Sequence, residues 1–64
     1  MKNKDVRDEI IEHLKTIERP LSWLATKSDI NYATVYSVLR QRTFKFSEEN
    51  LKKINDTLKT SFTN

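Results

Sequence analysis

The sequence contains no cysteine and no glycine, and His13 is its one histidine. Disulfide-stabilised mini-proteins need cysteines, and a structural zinc site needs four Cys or His ligands, so both classes are excluded. The lack of glycine also excludes the phosphate-binding P-loop, the glycine-rich dinucleotide fingerprint and the nucleophile elbow of hydrolases. We therefore expect no enzyme, no catalytic residue, no metal and no cofactor, and we interpret His13 as a surface residue of a helix.

Long apolar runs are also missing. The longest is Trp23-Leu24-Ala25, whereas a membrane span needs about 20 apolar residues and the core of a signal peptide roughly 7–15. We therefore expect a soluble, cytoplasmic protein without a membrane partner. At 64 residues the chain makes at most one small domain, and we treat residues 1–64 as that domain.

The formal net charge of +3 lies in the middle of the chain. Five basic and five acidic residues cancel in residues 1–19, and three of each cancel in residues 47–64. Residues 20–46 contain one acid, Asp29, and four bases, Lys27, Arg40, Arg42 and Lys45. A basic middle between neutral flanks indicates an anionic partner, most often nucleic acid, although a merely solvated surface gives the same pattern.

Apolar residues recur at intervals of three and four, the period of amphipathic helices. A first helix is predicted over residues 4–18, and its apolar stripe consists of Val6, Ile10, Leu14 and Ile17. Pro20 ends this helix or opens a short second one, which reaches Lys27 or Ser28. The last helix is predicted from a Ser47 cap to about Lys59, because two acids follow the cap at the positive end of the helix dipole. The fold class is thus predicted to be all-α, with four to five helices.

Between these helices, Asp29 and Asn31 predict a turn and the start of a third helix. Asp29 is expected in the left-handed region and Asn31 as the N-cap, since both residue types favour those places. The inward side of this helix consists of Val35, Val38 and Leu39. Its outward side consists of Ala33, Ser37 and Arg40, flanked by Thr34 and Tyr36. Short polar side chains favour the close approach of another molecule, and an ordinary solvent-exposed surface is the alternative.

Residues 41–46 form a connector, and their alternating pattern leaves a short β-ribbon as the alternative to a loop. Phe44 and Phe46 are interpreted as core or dimer residues. Trp23 is expected to be partly buried against the connector, and Phe62 to dock on the core.

The segment LSWLATKSDINYATVYSVLR, which follows Pro20 and ends at Arg40, resembles the lambda-repressor-like family of phage Cro and repressor proteins. The matching positions are the Leu24-Ala25 pair, Ile30 after the turn, and Val35 and Val38 in the recognition helix. The segment KFSEENLKKINDTL resembles the family's fourth helix. Asp29 is a departure, because the family usually has glycine in that turn. The resemblance implies a helix-turn-helix unit at about residues 21–40, within a small lambda-repressor-like domain.

The resemblance also implies which residues contact DNA. The third helix would enter the major groove, with base or groove contacts from Asn31, Tyr32, Ala33, Thr34, Tyr36, Ser37 and Arg40. Phosphate contacts would come from the backbone amides of Leu21 and Ser22 and from Lys27, Arg42 and Lys45. Some alternatives stay open: the two tyrosines pack on each other or on the connector, Thr34 serves as a helix-cap partner, and Arg40 binds phosphate instead of guanine.

The function that follows is a sequence-specific regulator that binds double-stranded DNA. By resemblance it is a small Cro-like repressor of a phage or other mobile element, which acts by occlusion in the bacterial or phage-infected cell, at the nucleoid. A homodimer is expected, at least on the DNA operator. The alternative is a protein-interaction module with the same fold, such as an antirepressor or an inhibitor of another DNA-binding protein. An architectural binder without sequence preference is disfavoured by the modest charge of +3.

Overall fold

The computed structural model describes residues 5–63 of the chain. Its helices are α1 (Val6–Thr16), α2 (Leu21–Ser28), α3 (Tyr32–Tyr36) and α4 (Glu48–Leu58), and α3 continues directly into a π-helical turn, here called the π segment (Ser37–Gln41). Residues 5–63 contain no strand, so the all-α prediction is confirmed and the connector is a loop. The predicted start of the first helix at Lys4 lies outside the described residues.

Helix α1 begins where a side chain caps it and ends earlier than its apolar stripe predicts. A carboxylate oxygen of Asp5 accepts a hydrogen bond from the backbone N–H of Arg7 at 2.8 Å. Val6, Ile10 and Leu14 face the core as predicted. The predicted stripe is wrong at Ile17, which is 37% exposed because the helix ends at Thr16 and the chain then turns away.

The chain reverses after each helical stretch through a residue with positive φ. These residues are Glu18, Asp29, Arg42 and Lys59, with φ between 57° and 58°. A left-handed residue with a Cβ costs roughly 1–2 kcal/mol, and a chain without glycine cannot avoid this cost at such ends. The prediction that Asp29 is left-handed is confirmed.

One apolar core joins all four helices. Its fully buried members come from every helix and from the π segment, and they include Ile10, Leu24, Val35, Leu39 and Ile54. Of the two phenylalanines in the connector, Phe46 is in this core, whereas Phe44 is 64% exposed. Trp23 is half-buried at the edge of the same core.

Hydrogen bonds attach α4 to the end of α2 and to the C-terminal segment. The buried hydroxyl of Ser28 on α2 donates to Thr57 Oγ1 at 3.0 Å, and Thr57 Oγ1 donates in turn to the Lys53 carbonyl at 2.9 Å. Asn55 holds the C-terminal segment with two bonds: its Nδ2 donates to the Phe62 carbonyl at 3.0 Å, and its Oδ1 accepts from the Phe62 N–H at 2.9 Å.

These contacts dock Phe62 on the core, as predicted. The Phe62 ring meets His13 edge-on, with the ring centroids 5.9 Å apart. His13 is therefore half-buried and packed rather than simply exposed. None of the helices within residues 5–63 has the length and apolar character that crossing a membrane requires.

Candidate nucleic-acid interface

The turn between α2 and α3 is fixed by local hydrogen bonds. After α2, the N–H of Ile30 donates to the Ala25 carbonyl at 2.9 Å and that of Asp29 to the Thr26 carbonyl at 3.3 Å. This pair of bonds around a left-handed residue closes the helix end, and it brings Ile30 back onto Ala25 in the core. Asn31 then caps α3 as predicted, because its Oδ1 accepts from the Ala33 N–H at 2.8 Å.

The far end of α3 widens into the π segment. There the carbonyl of Ser37 accepts three hydrogen bonds, from the Arg42 N–H, from the Thr43 N–H at 3.3 Å and from Thr43 Oγ1 at 3.1 Å. Three donors on one carbonyl fix the path of the chain as it leaves the helix. The side chains of Val38 and Leu39 stay buried through this change of winding, so the predicted inward face is confirmed.

The opposite face of α3 and the π segment is open to solvent. Its exposed residues are Asn31, Tyr32, Ala33, Tyr36 and Arg40, while Thr34 and Ser37 are half-buried. This face contains no acidic residue. The fold thus brings the residues that were predicted to face the groove to one surface.

Tyr32 and Tyr36 pack on each other without being covered. Their ring centroids lie 6.1 Å apart with the planes tilted by 39°. Even so, Tyr32 is 49% and Tyr36 43% exposed. The mutual packing, one of the predicted alternatives, therefore leaves the rings accessible to a ligand.

A groove of about 510 Å³ lies where α2 meets the start of α3. It is lined by Ser22, Ala25, Thr26, Asp29, Ile30, Asn31 and Tyr32. Two predicted groups, the phosphate-binding start of α2 and the groove-facing start of α3, thus share one depression. The side-chain oxygen of Asn31 accepts the capping bond, and the side-chain amide nitrogen can donate to a ligand.

The four predicted cations have different environments. Lys27, Arg40 and Lys45 are exposed. Arg42 is turned toward the start of α1, where its Nη1 lies 2.7 Å from Asp8 Oδ1. A carboxylate therefore lies beside Arg42, and the phosphate contact of this side chain, which stays a prediction, would compete with Asp8.

Arg42 belongs to a cluster with Asp5, Arg7 and Asp8, here called the Asp/Arg cluster. The guanidinium of Arg7 donates to Asp5 at 2.9 and 2.7 Å, and its Nη1 donates to the carbonyl of Phe44 at 3.1 Å. The connector is thereby held against α1. The Arg7 hydrogen bonds also keep the pKa of the Asp5 carboxyl well below its ordinary value, and the same contact raises the pKa of Arg7.

A second depression, of about 70 Å³, lies where α1 ends and α2 begins, and is here called the basic notch. It is lined by Ile11, Leu14, Lys15, Arg19, Pro20, Leu21 and Arg40. Sequence reasoning missed Lys15 and Arg19, because they lie in a segment whose net charge is zero. Only the fold shows that these two cations are on the side of Arg40.

The start of α2 borders this notch. Pro20 is the N-cap and makes no side-chain capping bond. The N–H of Trp23 bonds to the Pro20 carbonyl at 3.1 Å, whereas the first two amides of a helix, here those of Leu21 and Ser22, have no intrahelical partner. The Leu21 side chain itself is half-buried in the core, so this residue has its backbone alone to offer.

Residues 5–63 bring together no group of three or more His, Asp or Glu side chains that could hold a metal ion. The chemistry that this surface can supply is binding: hydrogen-bond donors, exposed rings, a methyl group and positive charge. No protein-family model, curated protein or solved structure matches the chain.

Proposed function

We propose that the chain is a sequence-specific regulator that binds double-stranded DNA through a lambda-repressor-like helix-turn-helix, formed by α2, the Asp29 turn and α3. The observation that carries the proposal is the outward face of α3 and the π segment, which is exposed, free of acids and flanked by exposed cations. Helix α3 and the π segment have five residues each, and end to end they form a rod roughly 15 Å long. A helix with its side chains is about 10–12 Å across, a diameter that fits the major groove, which is about 12 Å wide.

The exposed side chains suit base edges in different ways. The methyl group of Ala33 can contact a thymine methyl, and the Asn31 amide can donate to an acceptor on a purine or on thymine. The phenols of Tyr32 and Tyr36 reach bases or phosphates, and Ser37 offers a hydroxyl near the helix axis. The side-chain oxygen of Asn31 caps the helix with one of its two lone pairs, so a bidentate contact of Asn31 with adenine would use the other.

Phosphate contacts support the docking without reading sequence. The amides of Leu21 and Ser22 and the side chains of Lys27 and Lys45 take this role. Arg42 is left out, because Asp8 offsets its charge. Repression by occlusion follows if two copies bind half-sites one helical turn apart. The exposed side chain of Phe44 is an apolar group that could form the contact between the two copies.

Selection of bound duplexes from a random DNA pool at near-physiological salt tests the proposal. We expect enrichment of a motif, as an inverted repeat with centres about 10–11 base pairs apart for a dimer. Ala33→Glu places a carboxylate on the exposed face and is expected to abolish enrichment. Ser61→Glu makes the same charge change at an exposed site outside the α3 face and is expected to preserve it.

A second candidate function rests on the exposed tyrosine pair. Aromatic side chains are enriched at protein interfaces, and the Tyr32–Tyr36 surface could pack against a protein instead of DNA. In that case the chain is an antirepressor or an inhibitor of another DNA-binding protein. Selection by a folded protein would then enrich no motif, and duplex affinity at about 0.15 M salt would be feeble.

A further inference from the structure

The basic notch is small and is formed by two parts of the chain that are distant in sequence, residues 11–21 and the π segment. Lys15 comes from the last turn of α1, Arg19 from the turn before α2, and Arg40 from the π segment. Its volume of about 70 Å³ is far below the roughly 300–1,000 Å³ of a site for a cofactor or drug-sized ligand. The notch therefore has room for one phosphate-sized group, and whatever is attached to that group lies at its rim.

The lining of the notch combines positive charge with an apolar floor. Among the described residues that line it there are three cations and no carboxylate. The floor consists of Ile11, Leu14, Pro20 and Leu21. An anion attached to a carbon framework suits such a lining better than a free inorganic ion, because the framework can cover the apolar floor.

The guanidinium of Arg19 lies over an aromatic ring. Its guanidinium carbon lies 5.5 Å from the centroid of the Trp23 ring, a distance at which a cation is attracted to the ring face. The ring orders the side chain and leaves its charge in place. The ion pairs among Asp5, Arg7, Asp8 and Arg42 lie at the other end of α1.

We propose that the basic notch binds one sugar–phosphate unit of the DNA backbone, with Lys15, Arg19 and Arg40 around the phosphate and the sugar at the rim, over the apolar floor. Arginine matches phosphate oxygens with a planar pair of donors, and lysine adds a point charge. The inference rests on the proposed function and deepens it. It adds Lys15 and Arg19 to the proposed DNA contacts. It also fixes the π segment, which contains Arg40, relative to the DNA backbone.

The test is the salt dependence of duplex binding by the full chain, measured by fluorescence anisotropy between about 0.05 and 0.2 M NaCl. Each phosphate contact that is lost lowers the log–log slope by about 0.9 and weakens binding about fivefold at 0.15 M salt. Because the notch binds a single phosphate, we expect Lys15→Gln and Arg19→Gln each to lower the slope by part of this amount, and the double variant to lower it further, up to about 0.9 in all. Arg19→Lys keeps the charge and is expected to restore the slope.

Two controls match these variants. Lys52→Gln removes an exposed cation of α4 outside the notch, and Arg42→Gln removes an arginine that is already paired, so both are expected to keep the slope. Because Arg19 packs on Trp23, the thermal stability of its variants is measured first. If they unfold at a lower temperature than the wild-type chain, the Lys15 variant alone is used for the test, since Lys15 is exposed.

The outcomes separate the two proposals. If the wild-type chain binds DNA and Lys15→Gln and Arg19→Gln have the same slope as the wild type, the proposal for the notch is wrong. The proposed function is not affected by that outcome. A folded wild-type chain without measurable affinity for any duplex would overturn both.

Discussion

Arg40 and Arg42 lie two residues apart in sequence, but the fold gives their charges opposite surroundings. The guanidinium of Arg42 lies 2.7 Å from Asp8 and 4.0 Å from Asp5. Arg40 is exposed and borders the basic notch, to which no acid of the described residues contributes. One arginine is thus part of the scaffold, and the other is available to an anion.

The difference follows from the order of charges along α1. Asp8 and Glu9 lie in its first turn, and His13 and Lys15 lie in its last. The helix dipole favours acids at the start of a helix and bases at its end. Because α1 packs beside the π segment, with its start near Arg42 and its end near the basic notch, this order neutralises one arginine and leaves the other among cations.

The largest expected effect comes from exchanging each arginine in turn for glutamine. Because the notch places Arg40 on a phosphate, Arg40→Gln is expected to weaken binding up to about fivefold at 0.15 M salt, on the selected and the scrambled duplex alike. Arg42→Gln is expected to change duplex affinity by less than about twofold, since a charge that is already offset contributes little. Fluorescence anisotropy on the selected and a scrambled duplex measures both. Equal losses in the two variants would remove the distinction between them.

Acid pH tests the Asp/Arg cluster itself. Because Arg7 keeps the folded-state pKa of Asp5 below that of the unfolded chain, the folded protein binds fewer protons in acid. The stabilisation is therefore complete above about pH 4 and is lost as the pH falls further. The midpoint of thermal unfolding should fall from pH 5 to pH 2 in the wild-type chain and change less in Asp5→Asn.

Asp56→Asn is the matched control for this titration, because Asp56 is an exposed acid of α4 outside the cluster. It should retain the acid dependence of the wild-type chain. If Asp5→Asn retained it as well, the hydrogen bonds between Asp5 and Arg7 would not be a source of stability.

Features that depend on neighbouring residues could be predicted from the sequence. The left-handed Asp29 and the caps Asn31 and Ser47 are local choices of side chain and backbone, and the helix ends lie within about two residues of their predicted places. The exposed face of α3 also followed from its period of 3.6 residues.

Features that join distant parts of the chain could not be predicted. The bond between Arg42 and Asp8 spans 34 positions, and that between Arg7 and the Phe44 carbonyl spans 37. No local pattern indicates such pairs, so the resemblance, which implies a phosphate contact for Arg42, gave no sign of its ion pair with Asp8. The notch residue Arg19 was missed for the same reason, since it belongs to a segment without net charge.

The smallest expected effect is a difference in the salt dependence of stability between glycine substitutions at two left-handed residues, Asp29 and Arg42. Asp29→Gly relieves backbone strain and should raise the free energy of unfolding by about 1 kcal/mol, because Asp tolerates this region better than most residues. Its carboxylate lies between the negative end of α2 and the positive start of α3, so the two dipole effects oppose each other and the gain should depend little on salt.

Arg42→Gly relieves the same kind of strain but also removes the ion pair with Asp8, which is exposed and worth about 0–1 kcal/mol. In 1 M NaCl, where the Debye length is about 3 Å, the pair is largely screened and the wild-type chain loses its contribution. The gain from Arg42→Gly should therefore rise with salt, by up to about 1 kcal/mol, while that from Asp29→Gly stays constant. Urea unfolding at low and high salt measures both; a gain at Arg42 that does not change with salt would mean that Asp8 does not hold this arginine in solution.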